Sequence, residues 1–370
     1  MRAPIVPIYA TQLGASVAEV GLINAAFMAV ACILAIPLGL FSDRFGRKSL
    51  ILLGSSLSAA VSFLFFFARN PYQMMGIYAI GGLGVASFTP TMISFIGDIS
   101  PPASLGKAYG LFSTSMQVGI ASGPALGGYV AKLSGYGETF LLSAAIISLA
   151  VAAGFSSFPS TLPPRMPLKG LKLRAEFRTL RTNREVLACW VGIFSLYFTW
   201  GASSAFLPLY AHDLGLSIFA IGLLFTIQSG GNALARFPFG ALSDKLGRRQ
   251  PFLIFGMVLG SIATGFIPFI RSPYTLGGVA FFLGIGVGIT GMSASALIAE
   301  AAPIESRGFA VGVYSTCFYA GMALSPAILG QVIEAYGFHM GFSLAAFVGL
   351  SGMVLVRSLL YRRGLELVKG

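Results

Sequence analysis

The chain has 370 residues, 56% of them hydrophobic and only 10% charged, with a formal charge of +12 and a mean hydropathy of +0.83. That balance excludes a soluble globular protein for most of the length. At about 20 residues per crossing, roughly a dozen membrane helices fill the chain and leave no room for a sizeable soluble domain, so the fold class is all-α integral membrane.

In chain order, a short apolar fragment at 3–11 precedes longer apolar segments at 17–41, 48–68, 72–97, 106–132, 138–158, 187–211, 216–241, 250–270, 273–299, 307–333 and 338–358. The fragment has a partner: Pro7-Ile8-Tyr9-Ala10 matches Pro208-Leu209-Tyr210-Ala211, 201 positions later, where the second helix begins some twenty residues upstream, near Leu187. The first half of helix one is therefore missing. Either Met1 is a misplaced start, which is the favoured reading, or the chain is a variant with a short first helix; no cleavable signal-peptide pattern accounts for it.

After the first long segment, 37–48 reads Pro-Leu-Gly-Leu-Phe-Ser-Asp-Arg-Phe-Gly-Arg-Lys, and 238–249 reads Pro-Phe-Gly-Ala-Leu-Ser-Asp-Lys-Leu-Gly-Arg-Arg. Gly39, Asp43, Arg44, Gly46, Arg47 and Lys48 thus stand 201 positions before Gly240, Asp244, Lys245, Gly247, Arg248 and Arg249. Further on the offset drifts to 202, aligning Asp98 with Glu300 and Gly110, Gly119 and Pro124 with Gly312, Gly321 and Pro326; Lys107 and Arg307 open the helices after those acids. Six helices plus six is the economical account. It divides the chain into an N-terminal bundle at 1–158 with helix one incomplete, a linker at 159–185, and a C-terminal bundle with a short tail at 186–370.

Within the segment at 106–132, Gly119, Gly123 and Gly127 recur every fourth residue on one helical face, with Gly128 beside them and Gly110 on the opposite side. Pro124 removes a backbone hydrogen bond and permits a bend. The second copy has Ser325 and Leu329 in place of two of the glycines.

The linker is the only long polar stretch. Leu173, Phe177 and Leu180 recur among Lys172, Arg174, Arg178 and Arg181, which fits either a basic amphipathic helix on the membrane face or a solvated connection. About 19 of the 24 Lys and Arg lie in the linker, the tail and alternate loops. This positive-inside asymmetry predicts a cell-membrane protein with a cytoplasmic C-terminus, and it accounts for the basic excess without nucleic acid. Cys32, Cys189 and Cys317 lie far apart in sequence, and His212 and His339 fall in outer loops. Neither set has metal-ligand spacing, so no metal and no cofactor is expected. No Gly-x-x-x-x-Gly-Lys-[Ser/Thr] loop occurs to bind a nucleotide.

Two loops of the form Gly-x-Leu-x-Asp-[Arg/Lys]-x-Gly-Arg-[Lys/Arg] in a six-plus-six chain resemble the signature loop of the major facilitator superfamily, the first copy carrying Phe41 where Leu is usual. The run from Gly110 to Gly128 resembles the fifth helix of its drug and metabolite antiporters. The resemblance implies two bundles related by a pseudo-twofold axis that rock about a midplane site. It also implies that Asp43 faces the helix start at Arg307 and Gly308, and Asp244 the start at Gly106 and Lys107, where carboxylates cap exposed amides and bias the conformational equilibrium. One departure weakens proton coupling: Tyr78 stands where proton-coupled exporters usually carry Arg. All twelve acids, from Glu19 to Glu366, also fall in loops or at helix ends, so no intramembrane proton carrier is visible.

Asn24, Gln117, Tyr197, Trp200, Gln228, Asn232 and Tyr319 lie near the middle of spans and are the candidate cavity residues. Such a lining suits a neutral, amphipathic or aromatic solute, or a cation on aromatic faces. An anion fits less well, because Arg236 is the one firmly placed cation inside a span and sits near a helix end, while Arg2 is unplaced. The expectation is a monomeric, non-enzymatic secondary transporter of a small solute, export favoured, with protons as an open coupling partner. The alternatives are a facilitated uniporter or importer, or a membrane-embedded lipid-handling enzyme or sensor. Enzymes need His, Cys, Asp or Glu grouped at depth, and this chain groups none.

Overall fold

In the computed structural model the described residues are 1–101, 105–158, 180, 182–303 and 307–367, without the side chains of 36, 39–45, 105–106, 307–308 and 361–367. They form helices α1 (Ile5–Gln12), α2 (Val17–Phe45), α3 (Arg47–Phe65), α4 (Pro71–Ile99), α5 (Leu105–Ser134) and α6 (Tyr136–Ser157), then α7 (Arg184–Asp213), α8 (Ile218–Leu246), α9 (Gln250–Phe266), α10 (Pro273–Ala301) and α11 (Arg307–Leu367). No strand occurs among them. Of the proposed amphipathic helix in the linker only Leu180 is among the described residues, and it is buried against the C-terminal bundle.

Each apolar segment becomes a helix, because in hydrocarbon every backbone amide must be satisfied within its own segment. Several helices overrun the predicted end by up to five residues into the charged loops, as α8 does to Leu246. The last two segments depart from expectation. Helix runs from Arg307 to Leu367, broken only at Gly337 (φ 81°, ψ 171°), so two limbs meet at one left-handed residue rather than at a loop.

The duplication is written into the turns. Gly14 (φ 90°) and Gly215 (φ 79°) end the first helix of each half, and the amides that follow reach back, from Ala15 to Ala10 and from Leu216 to Ala211. Only glycine takes this conformation at no steric cost. Two residues on, Ser16 accepts from the Glu19 amide and Ser217 from the Ala220 amide, each at 3.3 Å, capping α2 and α8.

Within each half the helices pack through small residues, as expected where lipid gives no hydrophobic drive for association. A methyl at Gly54 on α3 would lie 2.6 Å from the Gly84 carbonyl of α4, and one at Gly256 on α9 would lie 2.8 Å from the Gly286 carbonyl of α10. These pairs match at an offset of 202, and the two six-helix bundles follow from them.

Candidate functional site

Two seams join the bundles, α2 against the first limb of α11 and α5 against α8. Away from the charged loops both are backbone-close. A methyl at Gly21 would strike the Pro326 carbonyl, and one at Gly222 the Pro124 carbonyl. One at Gly330 would lie 3.1 Å from Ala18 Cα, and one at Gly128 would lie 2.7 Å from the Ile218 oxygen. These contacts are a single pattern repeated by the pseudo-twofold axis. A further contact appears on one seam only: Glu334 Oε2 accepts from the Ala18 amide at 2.7 Å, while the position 202 earlier is exposed Lys132.

Toward the charged loops the seams part. From Lys107 to Met116 every residue of α5 is exposed or half-buried, and methyls at Gly110 or Gly312 would meet nothing within 4 Å. The glycine run on α5 thus divides three ways. Gly123 and Gly127 admit the N-terminal segment, at Met1 and Ile5, Gly128 forms the seam, and Gly119 faces open space.

Between the sealed end and that opening lies a cavity of about 400 Å³ lined by residues of both bundles. Asn24, Trp200 and Gln228 line it, joined by Phe27, Met28, Tyr78, Met116, Gly119, Phe225, Ser229 and Met322. Gln228 is buried, and its amide nitrogen has no hydrogen-bond partner. Its position is set by close contact, since a methyl at Gly284 on α10 would collide with the Gln228 carbonyl. Asn24 donates to its own helix at Val20, 3.0 Å away. Tyr78 stacks on Phe27 with centroids 4.4 Å apart and planes 21° apart, and Gly81, one turn on, leaves room for the Phe27 ring. The glycines after Tyr78 were the signal in the sequence that could have found this pair.

The other predicted cavity residues lie beside that space. Gln117 Nε2 donates to Asn232 Oδ1 at 3.4 Å, a polar bridge between α5 and α8. Tyr197 stacks on Trp200 at 5.9 Å and meets Phe318 edge-on at 4.2 Å. Tyr319 is buried with Ala31 and Ala86. Arg236, expected in a helix-end role, instead donates from Nε to Asn232 Oδ1 at 2.9 Å. The cysteines, remote in sequence, are not all remote in space: Cys32 Sγ lies 3.7 Å from the carbonyl oxygen of Thr316, next to Cys317, across the α2–α11 seam. A shallower depression of about 1040 Å³ lies at the charged-loop ends of α9 and α10, lined by Arg248, Arg249 and Glu300, and not between the bundles.

In the charged loops Gly46 (φ 88°) and Gly247 (φ 61°) turn the chain. Lys48 donates to the Phe155 and Phe158 carbonyls at 3.0 and 2.7 Å, closing the end of α6. Arg47 pairs with Asp98. Arg249 pairs with Glu300 at 3.1 Å and with Asp244 at 2.5 Å; hydrogen bonding to Asp244 holds its guanidinium above the ordinary value. Asp244 therefore does not meet exposed Lys107, because with the bundles parted here its own loop supplies the nearest cation. The expected contact of Asp43 with the start of α11, the surroundings of Gly39, and the side chains of Arg44 and Arg307 lie outside the described residues. Methyl space at Gly240 ends 3.0 Å away at Met292 Sδ. Lys245 and Arg248 are exposed at the end of α8 and beyond it.

A family model described as Major Facilitator Superfamily matches residues 1–217 and again 189–368. An uncharacterized MFS-type transporter, MJ1560, of Methanocaldococcus jannaschii is 26% identical over 357 residues, covering 94% of this chain and 90% of the relative. The multi-drug resistance efflux pump PmrA of Streptococcus pneumoniae is 25% identical over 369 residues, covering 96% and 92%. The multidrug resistance protein MdtG of Enterobacter lignolyticus is 25% identical over 370 residues, covering 98% and 88%. Among solved structures, the nucleoside transporter NupG superposes with a TM-score of 0.79 at 13% identity over 96% of this chain and 94% of that one. A bacterial homolog of the human lysosomal transporter Spinster, inward-facing and occupied, gives 0.77 at 15% over 97% and 91%.

Proposed function

Because the chain belongs to the Major Facilitator Superfamily, we propose that it carries a small amphipathic solute, neutral or cationic, across the cell membrane by alternating access, with export the favoured direction. The observation that carries this reading is the buried, partnerless amide of Gln228 in an aromatic cavity shared by two bundles that are sealed at one end. A buried donor left unmade is costly, and a bound acceptor would satisfy it. Tyr78, Phe27 and Trp200 supply faces for an apolar body or a cation.

Export is supported by two points. By the positive-inside rule the splayed, basic end would face the cytoplasm, so the cavity would load from inside, and the relatives include proteins named as multidrug efflux pumps. In this reading Asp43 and Asp244 act when the basic end closes, each capping a helix start in the other bundle, and Asp244 leaves Arg249 to do so. Replacing both by Asn should favour the inward-open form, read as greater labelling of cysteines placed in the basic loops; unchanged labelling counts against the role. Protons remain the coupling ion to test. The test of flux is uptake and efflux of neutral, cationic and zwitterionic aromatic solutes in proteoliposomes with and without a pH gradient. Saturable flux that Gln228→Leu weakens is the expected result. Gradient-independent flux would make the protein a uniporter, and no flux for any solute would remove the proposal.

A further inference from the structure

Arg236 stands one turn beyond Asn232 on α8, ten residues short of Leu246, or about 15 Å from the helix end at 1.5 Å per residue. It is exposed, in the stretch where the bundles have parted. The bond from Nε to Asn232 fixes the guanidinium plane. Its two terminal nitrogens meet no carboxylate or carbonyl among the described residues. No acid pairs with the guanidinium among the described residues.

The fold does not demand this charge, since the position 201 earlier is Ala35. An arginine at membrane depth is costly unless water or an anion offsets it, and such residues mark pathways. Asn232 is buried and also accepts from Gln117 of the other bundle, so the guanidinium is oriented from both sides of the molecule. Asn232, which holds the guanidinium, stands one turn beyond Gln228 of the cavity lining on the same helix. Gln228 lies eight residues before Arg236 on the same helix, about 12 Å along its axis.

We propose that Arg236 receives an acidic group, a carboxylate or phosphate-type oxyanion, on a solute whose apolar body lies against Trp200, Tyr78 and Gln228. Guanidinium matches such oxyanions in a two-pronged geometry. The inference rests on the transport reading above but revises its solute class, adding a negative group spaced from the apolar body by about the 12 Å that separates Gln228 from Arg236 along α8. Zwitterions meet both descriptions, their positive end held by the aromatic faces.

The test uses the full chain in phosphatidylcholine nanodiscs and reads emission from its two tryptophans during titration with 8-phenyloctanoate, 8-phenyloctanol and 8-phenyloctylamine. The acid should bind at least tenfold more tightly than the alcohol. Arg236→Gln should erase that preference while leaving alcohol affinity within twofold, which also shows that the variant is folded, and Arg236→Lys should keep part of it. Equal affinity for acid and alcohol, or a preference that survives Arg236→Gln, overturns the proposal. Inorganic phosphate binding as tightly as the acid would assign the position to a free anion, and loss of acid binding in phosphatidylglycerol nanodiscs to a lipid headgroup; either result also overturns it. No flux is needed, so the two readings fail separately: absent transport with the acid preference intact removes only the former, and transport of the amine without that preference removes only the latter.

Discussion

At position 228 the chain keeps an amide whose nitrogen is buried and unpaired, at a cost of about 1–3 kcal/mol for a stranded donor. Gln228→Leu removes that cost and the means of holding an acceptor together. It should raise the thermal unfolding midpoint in detergent while weakening solute binding about tenfold, the equivalent of one 1.4 kcal/mol interaction; a raised midpoint with unchanged binding would leave Gln228 as a mere liability. The charged pairs allow a second contrast. Arg47 and Asp98 are 8% and 16% exposed, whereas Arg249 and Glu300 are 18% and 56% exposed. Asp98→Asn should therefore cost about 3 kcal/mol, as when one member of a buried pair is lost, and Glu300→Gln only about 0–1 kcal/mol, both read by denaturant or thermal unfolding. Asn24, Trp200 and Gln228 were legible in the sequence because polar or indole groups at mid-span are conspicuous. Tyr78 and Phe27 were not, since an aromatic residue in an apolar run reads equally well as lipid-facing. The Gln117–Asn232 bridge joins two bundles, and no pattern along one chain fixes their relative register.

Among the helices, the approximate limits followed from apolar length; the serines two residues after a glycine that start α2 and α8 were a signal left unread. The continuity of α11 through Gly337 was hidden, because a single left-handed residue and a short loop look alike in sequence. The glycines of α5 were legible as a close-packing face, but their partners were not: Gly128 meets α8, whereas Gly123 and Gly127 meet the N-terminal segment. Bulk at a seam should act differently from bulk elsewhere on the same helix. Gly21→Val and Gly222→Val should each force the sealed ends apart and raise thiol labelling of cysteines introduced at Ser16 or Ser217. Gly110→Val on α5, with nothing within 4 Å, should leave that labelling as it was. Equal labelling in all three variants would mean that the seams do not depend on backbone contact.

For the whole molecule, the duplicated loops and turns made the pseudo-symmetry readable before any coordinates. Which end is closed was not readable, because under the proposed alternating access one sequence would encode both members of a conformational pair, balanced by contacts worth a few kcal/mol. Symmetry is also broken on both seams: at the outermost turn the Glu334 carboxylate holds the Ala18 amide on the α2–α11 seam while Lys132 occupies the matching place on the other, and deeper down the Thr226 hydroxyl donates to the Ala121 carbonyl at 2.7 Å on the α5–α8 seam, where Ala25 stands at the matching place. At that outermost turn, spin-label distances should broaden first between α5 and α8, and Glu334→Gln should bring the two seams level there; simultaneous broadening in the unaltered chain would count against this order. The molecule is then less a clamshell than a door hung on one jamb. A departing solute would slip out along the α5–α8 flank, and groups on the rim of that flank, more than any in the cavity, would set how fast it leaves.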